Sequence, residues 1–359
     1  HVYYGGSYGL STSSGWTAES GQADAELGFS ASTAGDVNGD GVPDQIIGAP
    51  RHYSALDTDV TPGASSELGL TWIIFGRRSG RPLAPPSGAA NAVELDLIAQ
   101  SYTVGPGGIR FNDNGHFDGY VVRGFGSGSP ARGTLLGGSV TNAGDINGDG
   151  VNDQLIGAAG LSENAQGGQP AKQRNGGYFV VYGRTNTFRH NLVNLNSEEA
   201  AIAGIPLTPS VGYQIDGEAS NDTVSGDPSV VNVGDLNGDG VPDAMLGAPS
   251  ASPEGKTGGG TAWVVYGRRN GTGLTPPATT GTSGNDLDLD GVGGSRNFDA
   301  SSGYRIDGEA ATSDGLATGI GNGLSTIADL NGDGKRDLLI GGASKGAEND
   351  NLGRAYVVF

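Results

Sequence analysis

The stretch Asp36-Val-Asn38-Gly-Asp40-Gly-Val42-Pro-Asp44 has three further counterparts in this chain of 359 residues. Every copy has oxygen-bearing side chains at positions 1, 3, 5 and 9, and glycine at positions 4 and 6. Ca²⁺ prefers about six to eight oxygen ligands, and glycine lets a short loop turn tightly around the ion. The pattern therefore predicts one Ca²⁺ in each loop, four per chain, with the main-chain carbonyl of position 7 as a further ligand.

The predicted metal ligands occupy the same five positions of each copy. They are Asp36, Asn38, Asp40, Val42 and Asp44; Asp145, Asn147, Asp149, Val151 and Asp153; Asp235, Asn237, Asp239, Val241 and Asp243; and Asp329, Asn331, Asp333, Lys335 and Asp337. Plain turns rich in Asp, Asn and Gly are the alternative. Plain turns do not require an aspartate at position 9 in all four copies, so the pattern favours metal sites, most of which are structural.

The residues after each loop distinguish it from an EF-hand. An EF-hand needs a bidentate glutamate at position 12 and a helix on each side. Position 12 is instead aliphatic, namely Ile47, Ile156, Leu246 and Ile340. These residues lie in short apolar runs closed by Gly or Pro, which are typical of strands. Each loop is therefore predicted to join two strands.

The amino-acid composition limits the partners and locations that this chain can have. With 20 basic and 39 acidic residues the net charge is −19, which argues against nucleic acid and anionic membrane surfaces as partners. There is no cysteine, and no apolar run approaches the ~20 residues of a membrane span, so we expect no membrane insertion. Structural calcium loops of modest affinity fill at extracellular calcium levels, so an extracellular or cell-surface location is predicted. No signal peptide is visible at His1, which is typical of a mature or excised piece.

The segments around the loops recur in one order. An apolar strand ending in Gly-Ala follows each loop, then an aromatic-aliphatic strand, then a segment such as Gly212–Gly217. Four strands per repeat predict an all-β fold, a β-propeller of four-stranded antiparallel blades with calcium loops between strands. Four repeats are evident, and the sequence leaves the number of blades open. The predicted units are approximately 20–118, 119–211, 212–302 and 303–359, with N-terminal closing strands in 1–19. We expect His1–Gly6 or Gly15–Glu19 to pair with Ala355–Phe359 and protect that edge.

These motifs resemble the FG-GAP repeat family, which includes integrin α-subunit propellers and many secreted bacterial and archaeal proteins. The Gly-Ala-Pro element is intact at 48–50 and 247–249, and altered at 157–159 and 341–343. The Phe-Gly element is reduced to Leu27-Gly28 and Leu136-Gly137, with no clean match in the third and fourth units. The resemblance implies a calcium-loaded propeller that acts outside the cell.

The sequence predicts a non-enzymatic adhesion or binding module for an extracellular protein or glycan. The four histidines, His1, His52, His116 and His190, are not spaced as metal ligands, and no nucleophile elbow stands in a strand-turn-helix context. Two alternatives remain open. One is a structural subunit that self-assembles into a surface filament or layer, and the other is a lectin-like or polysaccharide-processing propeller.

Overall fold

The computed structural model describes residues 2–6, 9–19, 22, 24–52, 67–76, 92–94, 119–127, 132–162, 175–185, 192–195, 205–219, 229–269, 286–289, 296–309, 319–343 and 353–359. These residues form strands and turns, with one short 3-10 helix at Pro253–Gly255. No helix in this part of the chain is long and apolar enough to cross a membrane.

The strands are short, as the Gly- and Pro-rich sequence predicts. In chain order they are β1 Val2–Gly6, β2 Gly9–Glu19, β3 Ser30–Gly35, β4 Asp44–Ala49, β5 Leu70–Ile74, β6 Ala92–Glu94, β7 Gly119–Arg123, β8 Gly126–Ser127, β9 Arg132–Gly133, β10 Leu136–Gly144, β11 Asp153–Ala158, β12 Gly177–Val181, β13 Leu192–Asn194, β14 Ile205–Pro206, β15 Gly212–Asp216, β16 Ser229–Gly234, β17 Asp243–Ala248, β18 Thr261–Val265, β19 Asp286–Asp288, β20 Arg296–Asn297, β21 Gly303–Asp307, β22 Ile320–Ile327, β23 Asp337–Ala343 and β24 Gly353–Val358.

Most of these strands form four antiparallel units, which we call blades 1 to 4. Blade 1 is β3-β4-β5-β7, blade 2 is β10-β11-β12-β15, blade 3 is β16-β17-β18-β21, and blade 4 is β22-β23-β24. The prediction of an all-β chain with four-stranded antiparallel repeats is confirmed. The unit boundaries differ, because β7 pairs with β5 and β15 pairs with β12. Each fourth strand is therefore the last strand of its own blade. The predicted units, which begin at 119, 212 and 303, place the same strand at the start of the next unit.

Apolar residues from neighbouring blades share common cores. Ile46 and Val122 of blade 1 pack in one cluster with Ile156 and Val181 of blade 2. A second cluster joins blades 2 and 3, and a third joins blades 3 and 4. A strand of a blade that lies between two other blades is buried on both faces, which explains why β12 and β18 are largely apolar along their whole length. This face-to-face arrangement is propeller-like.

Three short parallel strands were not predicted. We call β6, β13 and β19 the cover strands, because each pairs in parallel with an outermost fourth-type strand. Their partners are β2, β7 and β15 respectively. A cover strand comes from the chain between the third and fourth strands of the following blade, so it links consecutive blades. It also covers an edge that would otherwise expose unpaired backbone groups.

The expected pairing of the N-terminal strands with β24 is not seen. In the described residues β1 pairs with β2, β2 also pairs with β6, and β24 pairs with β23. β1 and β2 follow each other closely in the chain, so a local hairpin costs little loop-closure entropy. Among the described residues the structure therefore does not show the predicted closure by residues 1–19.

The fourth repeat contains its own version of the Phe-Gly element, which sequence reading missed. Gly321 has a φ of +97°, and a Cβ atom placed on it would lie 3.0 Å from Gly247 Cα. Gly137 has φ +94° and lies 3.0 Å from Gly48 Cα by the same measure. Ile320-Gly321 therefore takes the place of Leu136-Gly137. In both elements the glycine stands eight residues before the first aspartate of the loop. This constant spacing could have revealed the element in the fourth repeat.

Candidate metal centres

The four loops join the first strand of each blade to the second. We call residues 36–44, 145–153, 235–243 and 329–337 loops 1 to 4. The glycines at positions 4 and 6 all have positive φ, between 72° and 94°. Residues with a Cβ avoid this backbone region. The glycines therefore let the chain turn back on itself, as the sequence predicts.

Hydrogen bonds inside loop 1 organise its polar side chains. The carboxylate of Asp36 accepts the N–H groups of Asp40 (3.0 Å) and Gly41 (2.7 Å). The Oδ1 atom of Asn38 accepts the same Asp40 N–H at 2.9 Å. The Oδ1 atom of Asp40 accepts the Val42 N–H at 2.8 Å. Side-chain oxygens of positions 1 and 3 thus approach one nitrogen from within the loop.

The other three loops repeat this hydrogen-bond pattern. The bond from the position-5 N–H to the position-1 carboxylate measures 2.8 Å in loop 2, 3.0 Å in loop 3 and 3.1 Å in loop 4. The bond from the same N–H to the position-3 asparagine measures 2.9, 2.9 and 3.0 Å. One sequence pattern therefore produces one local geometry, independent of its surroundings.

The aspartate at position 9 has a different role from the other two. Asp44, Asp153, Asp243 and Asp337 are at most 1% exposed. Asp44 Oδ2 accepts the N–H of Val37 at 2.9 Å, and its Oδ1 accepts the N–H of Gly76, just beyond the third strand, at 2.7 Å. Gly183 and Gly267 donate equivalent bonds to Asp153 and Asp243, each at 2.9 Å. The ninth position therefore anchors the loop to its own blade.

Burial makes three of these anchoring carboxylates hard to ionise. Desolvation raises the pKa of Asp44 to about 7 and that of Asp243 to about 6, against the opposing effect of the backbone hydrogen bonds. The pKa of Asp153 is raised well above its ordinary range for the same reason. Neighbouring loop aspartates, such as Asp40 beside Asp44, add repulsion between like charges. A bound cation would relieve both effects, because it stabilises the ionised form.

Loop 4 differs from the other three. Its residues 329–336 are exposed, and position 7 is Lys335 instead of a valine. Leu330 N–H donates to Asp337 Oδ2 at 2.7 Å, but Asp337 Oδ1 has no hydrogen-bond partner among the described residues. We expect loop 4 to be the least rigid of the four.

Loops 1 to 3 also contact the next blade. The carbonyl of Val37 accepts the N–H of Arg184 at 2.8 Å, and that of Ile146 accepts the N–H of Arg268 at 2.9 Å. The Lys335 ammonium donates to the Leu236 carbonyl of loop 3. Position 2 of loops 1 to 3 therefore joins neighbouring blades through its carbonyl. The sequence did not predict this role, since the partners are about 90 or more residues away.

Asn152, at position 8 of loop 2, is a second residue that sequence reading missed. Its Oδ1 accepts the Asp36 N–H of loop 1 at 3.0 Å, and its own N–H donates to the Asp36 carbonyl at 3.1 Å. Loops 1 and 3 have proline at the same position. The asparagine that replaces this proline in loop 2 was the sequence feature that could have indicated this role.

The donor set of each loop fits a hard cation. Three carboxylates and one amide supply only oxygen, which suits Ca²⁺ and not a soft metal. Carboxylate oxygens that accept one N–H retain a second lone pair. Among the described residues, however, no three carboxylate or imidazole side chains are gathered as they would be around an ion. The ligand assignments, including the position-7 carbonyls, therefore stay predictions.

Described residues outside the loops offer few candidates for chemistry. His52 is buried and packs edge-on against Trp72, with ring centroids 5.5 Å apart. This environment is typical of a core histidine. His1, His116 and His190 lie outside the described residues.

The fold defines a propeller-like, all-β repeat protein, and the comparisons identify the repeat. Residues 228–265 match the family model of the FG-GAP repeat. They span β16, loop 3, β17 and β18, so blade 3 contains an FG-GAP repeat and the resemblance seen in the sequence is confirmed.

A curated relative is also similar. Phosphatidylinositol-glycan-specific phospholipase D from Bos taurus is 31% identical over 147 residues. The match covers 41% of this chain and 15% of that protein. The chain therefore matches only a small part of this relative.

Proposed function

We propose that this chain is an extracellular binding module whose four loops each hold one Ca²⁺. The observation that carries the proposal is the common hydrogen-bond pattern of the four loops, which turns the same oxygen side chains toward the same backbone amide. FG-GAP repeats are typical of extracellular domains, which supports the location. The proposal also includes that the chain is of the secreted bacterial or archaeal type of this family.

The ions would act by stiffening the junctions between blades. Positions 1, 3 and 5 of loop 1 would ligate the ion, while the neighbouring Val37 carbonyl binds Arg184 of blade 2. Fixing the loop therefore also fixes the surface on which the next blade packs. A ligand that binds only the folded state stabilises it by about 2.7 kcal/mol at one hundred times its Kd. Four such sites would make folding strongly dependent on calcium.

The test counts metal by native mass spectrometry of calcium-equilibrated protein. We expect four ions in the wild type, and three in each of the variants Asp40→Ala and Asp239→Ala. Glu309→Gln is the matched control, because it removes one exposed carboxylate outside the loops and should leave four ions bound. Two or fewer ions in the wild type would contradict the proposal.

The module is proposed to be non-enzymatic. The phospholipase D relative raises the alternative of a hydrolase, but the matched segment is 15% of that protein. Calcium-loaded chain incubated with a phosphatidylinositol-glycan substrate is expected to release no product. Release that continues after repeated purification would replace the binding proposal with the enzymatic one.

A second candidate, self-assembly into a filament or layer, is favoured by one observation. At β24 the side chains of Val357 and Phe359 are 42% and 72% exposed. Light scattering across a concentration series distinguishes a monomer from an assembly. We expect a monomer in calcium, and growth of mass with concentration would favour the second candidate.

A further inference from the structure

All four loops contain the sequence Asn-Gly-Asp-Gly at positions 3 to 6, with the asparagines Asn38, Asn147, Asn237 and Asn331. In an Asn-Gly pair the glycine nitrogen can attack the side-chain carbonyl of the asparagine, because glycine has no side chain to hinder the approach. This reaction, called deamidation, expels ammonia. Since the local sequence is identical in the four loops, a difference in reactivity between them would come from the tertiary structure.

Hydrogen bonds hold the asparagine amides of loops 3 and 4 in one orientation. Asp333 N–H donates to Asn331 Oδ1 at 3.0 Å, and Asn331 Nδ2 donates to Asp333 Oδ2 at 3.1 Å. Asn237 makes the same two bonds in loop 3, at 2.9 and 3.0 Å. The first bond reaches the oxygen that becomes negatively charged when the carbonyl is attacked, so it stabilises that charge. The second bond fixes the rotation of the amide.

The glycine nitrogen that would attack contacts a carboxylate in loops 3 and 4. Gly238 N–H donates to Asp235 Oδ1 at 2.7 Å, and Gly332 N–H donates to Asp329 Oδ1 at 2.6 Å. A general base has to lie within about 2.6–3.2 Å of the atom whose proton it removes, and both carboxylates do. In loop 2 the equivalent N–H donates to a main-chain carbonyl at 3.2 Å, and in loop 1 the position-1 carboxylate accepts other N–H groups.

Solvent access separates the same two loops from the others. Asn237 and Asn331 are exposed, and so is the glycine after each of them. Asn147 is only 6% exposed, and Asn38 is half-buried. Ammonia has to leave the site and water has to enter it for the reaction to finish. Loops 3 and 4 therefore combine an oriented amide, a base at the nucleophile and access for water.

We propose that Asn237 and Asn331 are sites of self-catalysed deamidation. In loop 4 the Gly332 nitrogen forms a bond to Asn331 Cγ, and its proton passes to Asp329 Oδ1. The Cγ–Nδ2 bond breaks, Nδ2 takes up that proton, and ammonia leaves behind a five-membered cyclic imide. Water then adds to one of the two imide carbonyls and opens the ring to aspartate or isoaspartate. The only co-reactant is water.

The two products have opposite effects on the loop. Aspartate at position 3 leaves the backbone unchanged and adds one negative charge, and calcium loops accept either Asp or Asn at this position. Isoaspartate adds a methylene group to the backbone, so the position-5 N–H loses its alignment with the oxygens of positions 1 and 3. The reaction uses only residues of the chain and water, so the inference goes beyond the proposed metal binding and does not depend on it.

The test follows each asparagine by peptide mapping with mass spectrometry. Calcium-stripped chain is incubated at neutral pH below its thermal midpoint, and near-ultraviolet circular dichroism follows the fold. Asn322 is the internal control, because it is exposed and precedes a glycine but lies in the extended strand β22. Asn237 and Asn331 should convert at least about tenfold faster than Asn322 and Asn147, as expected for a positioned base. Equal rates at Asn237, Asn331 and Asn322 would overturn the proposal.

A variant and an unfolded sample test the role of the structure. Asp329→Asn keeps an acceptor for the Gly332 N–H but removes the base, so conversion of Asn331 should fall at least about tenfold while Asn237 stays fast. In urea the four loop asparagines should convert at similar rates, because only the fold distinguishes them. Unchanged conversion of Asn331 in the variant, or an undiminished difference between the loops in urea, would contradict the mechanism.

A parallel incubation in saturating calcium separates this inference from the proposed metal function. An ion bound by Asp329 and Asn331 would occupy the base and the amide oxygen, so conversion of Asn331 should slow while that of Asn322 is unchanged. Fast conversion with and without calcium would support deamidation and contradict metal binding at loop 4. Slow conversion in both, in a chain that binds four ions, would overturn only the deamidation proposal.

Discussion

Gly48 and Gly137 face each other across the junction of blades 1 and 2 with no room for a side chain. A Cβ atom on Gly48 would lie 2.0 Å from the carbonyl oxygen of Gly137. Gly247 and Gly321 repeat the contact between blades 3 and 4, at 2.1 Å. The Gly-Ala-Pro and Phe-Gly elements are therefore two halves of one junction, in which backbones of adjacent blades meet directly.

Gly48→Ala should destabilise the chain by about 1–3 kcal/mol, because the added methyl group would push two backbones apart. Gly323→Ala is the matched control, since a Cβ there would meet no atom within 4 Å. Chemical unfolding of both variants in calcium measures the difference. Equal stability of the two variants would show that the close contact does not matter.

Tyr120→Phe and Tyr213→Phe should differ, although the two tyrosines hold equivalent positions in blades 1 and 2. Tyr120 donates to Gln154 of blade 2, whereas Tyr213 faces blade 3, where Ala244 replaces that glutamine. The Tyr213 hydroxyl has no hydrogen-bond partner among the described residues.

Losing the Tyr120 hydroxyl leaves a buried amide oxygen without a donor, which costs about 1–3 kcal/mol. Losing the Tyr213 hydroxyl should be neutral or slightly stabilising. Unfolding free energies of the two variants provide the measurement. A larger loss for Tyr213→Phe would contradict this explanation.

The stability of calcium-free protein should fall as the pH rises from about 4 to about 7. Burial raises the pKa of Asp44 from 3.8 to about 7 in the folded state. A raised pKa means that the folded state favours the protonated carboxyl, so its contribution is complete below the unfolded pKa and is lost through the folded pKa. Calcium should reverse the trend, because it binds the ionised form.

Thermal midpoints of calcium-stripped protein between pH 4 and pH 7.5 measure this trend. The variant Asp44→Asn removes one of the titrating groups and should flatten the decline. An identical decline in wild type and Asp44→Asn would show that Asp44 does not titrate as its burial indicates.

Asn152→Ala should weaken calcium binding at loop 1, although Asn152 belongs to loop 2. It removes the acceptor of the Asp36 N–H, and a hydrogen bond of this kind contributes about 1 kcal/mol, or roughly fivefold in affinity. The measurement is calorimetric titration in an Asp149→Ala background, where loop 2 is disabled and three sites remain.

Asn175→Ala in the same background is the control. Asn175 is buried and donates to the Gly217 carbonyl at 3.2 Å, away from the loops. It should lower stability without changing any calcium affinity. If Asn152→Ala leaves all three remaining sites unchanged, the loops are not coupled across the blade junction.

The sequence by itself determined the local structure of this protein. The turns of loops 1 to 4 and the strands on both sides follow from residues that are close in the chain, where glycine freedom, short side-chain oxygens and apolar runs decide the geometry. The hydrogen bonds between Asp36, Asn38 and Asp40 span at most four residues. Such contacts recur wherever the pattern recurs.

Only the tertiary structure decided which parts of different repeats meet. The pairing of Asn152 with Asp36 and of β19 with β15 depends on how the blades stack and which loop crosses to which neighbour. These contacts join residues that are tens to more than one hundred positions apart. The sequence of a short polar or apolar segment does not identify its distant partner. The packing of whole blades, and not local conformational preference, sets the final position of the segment.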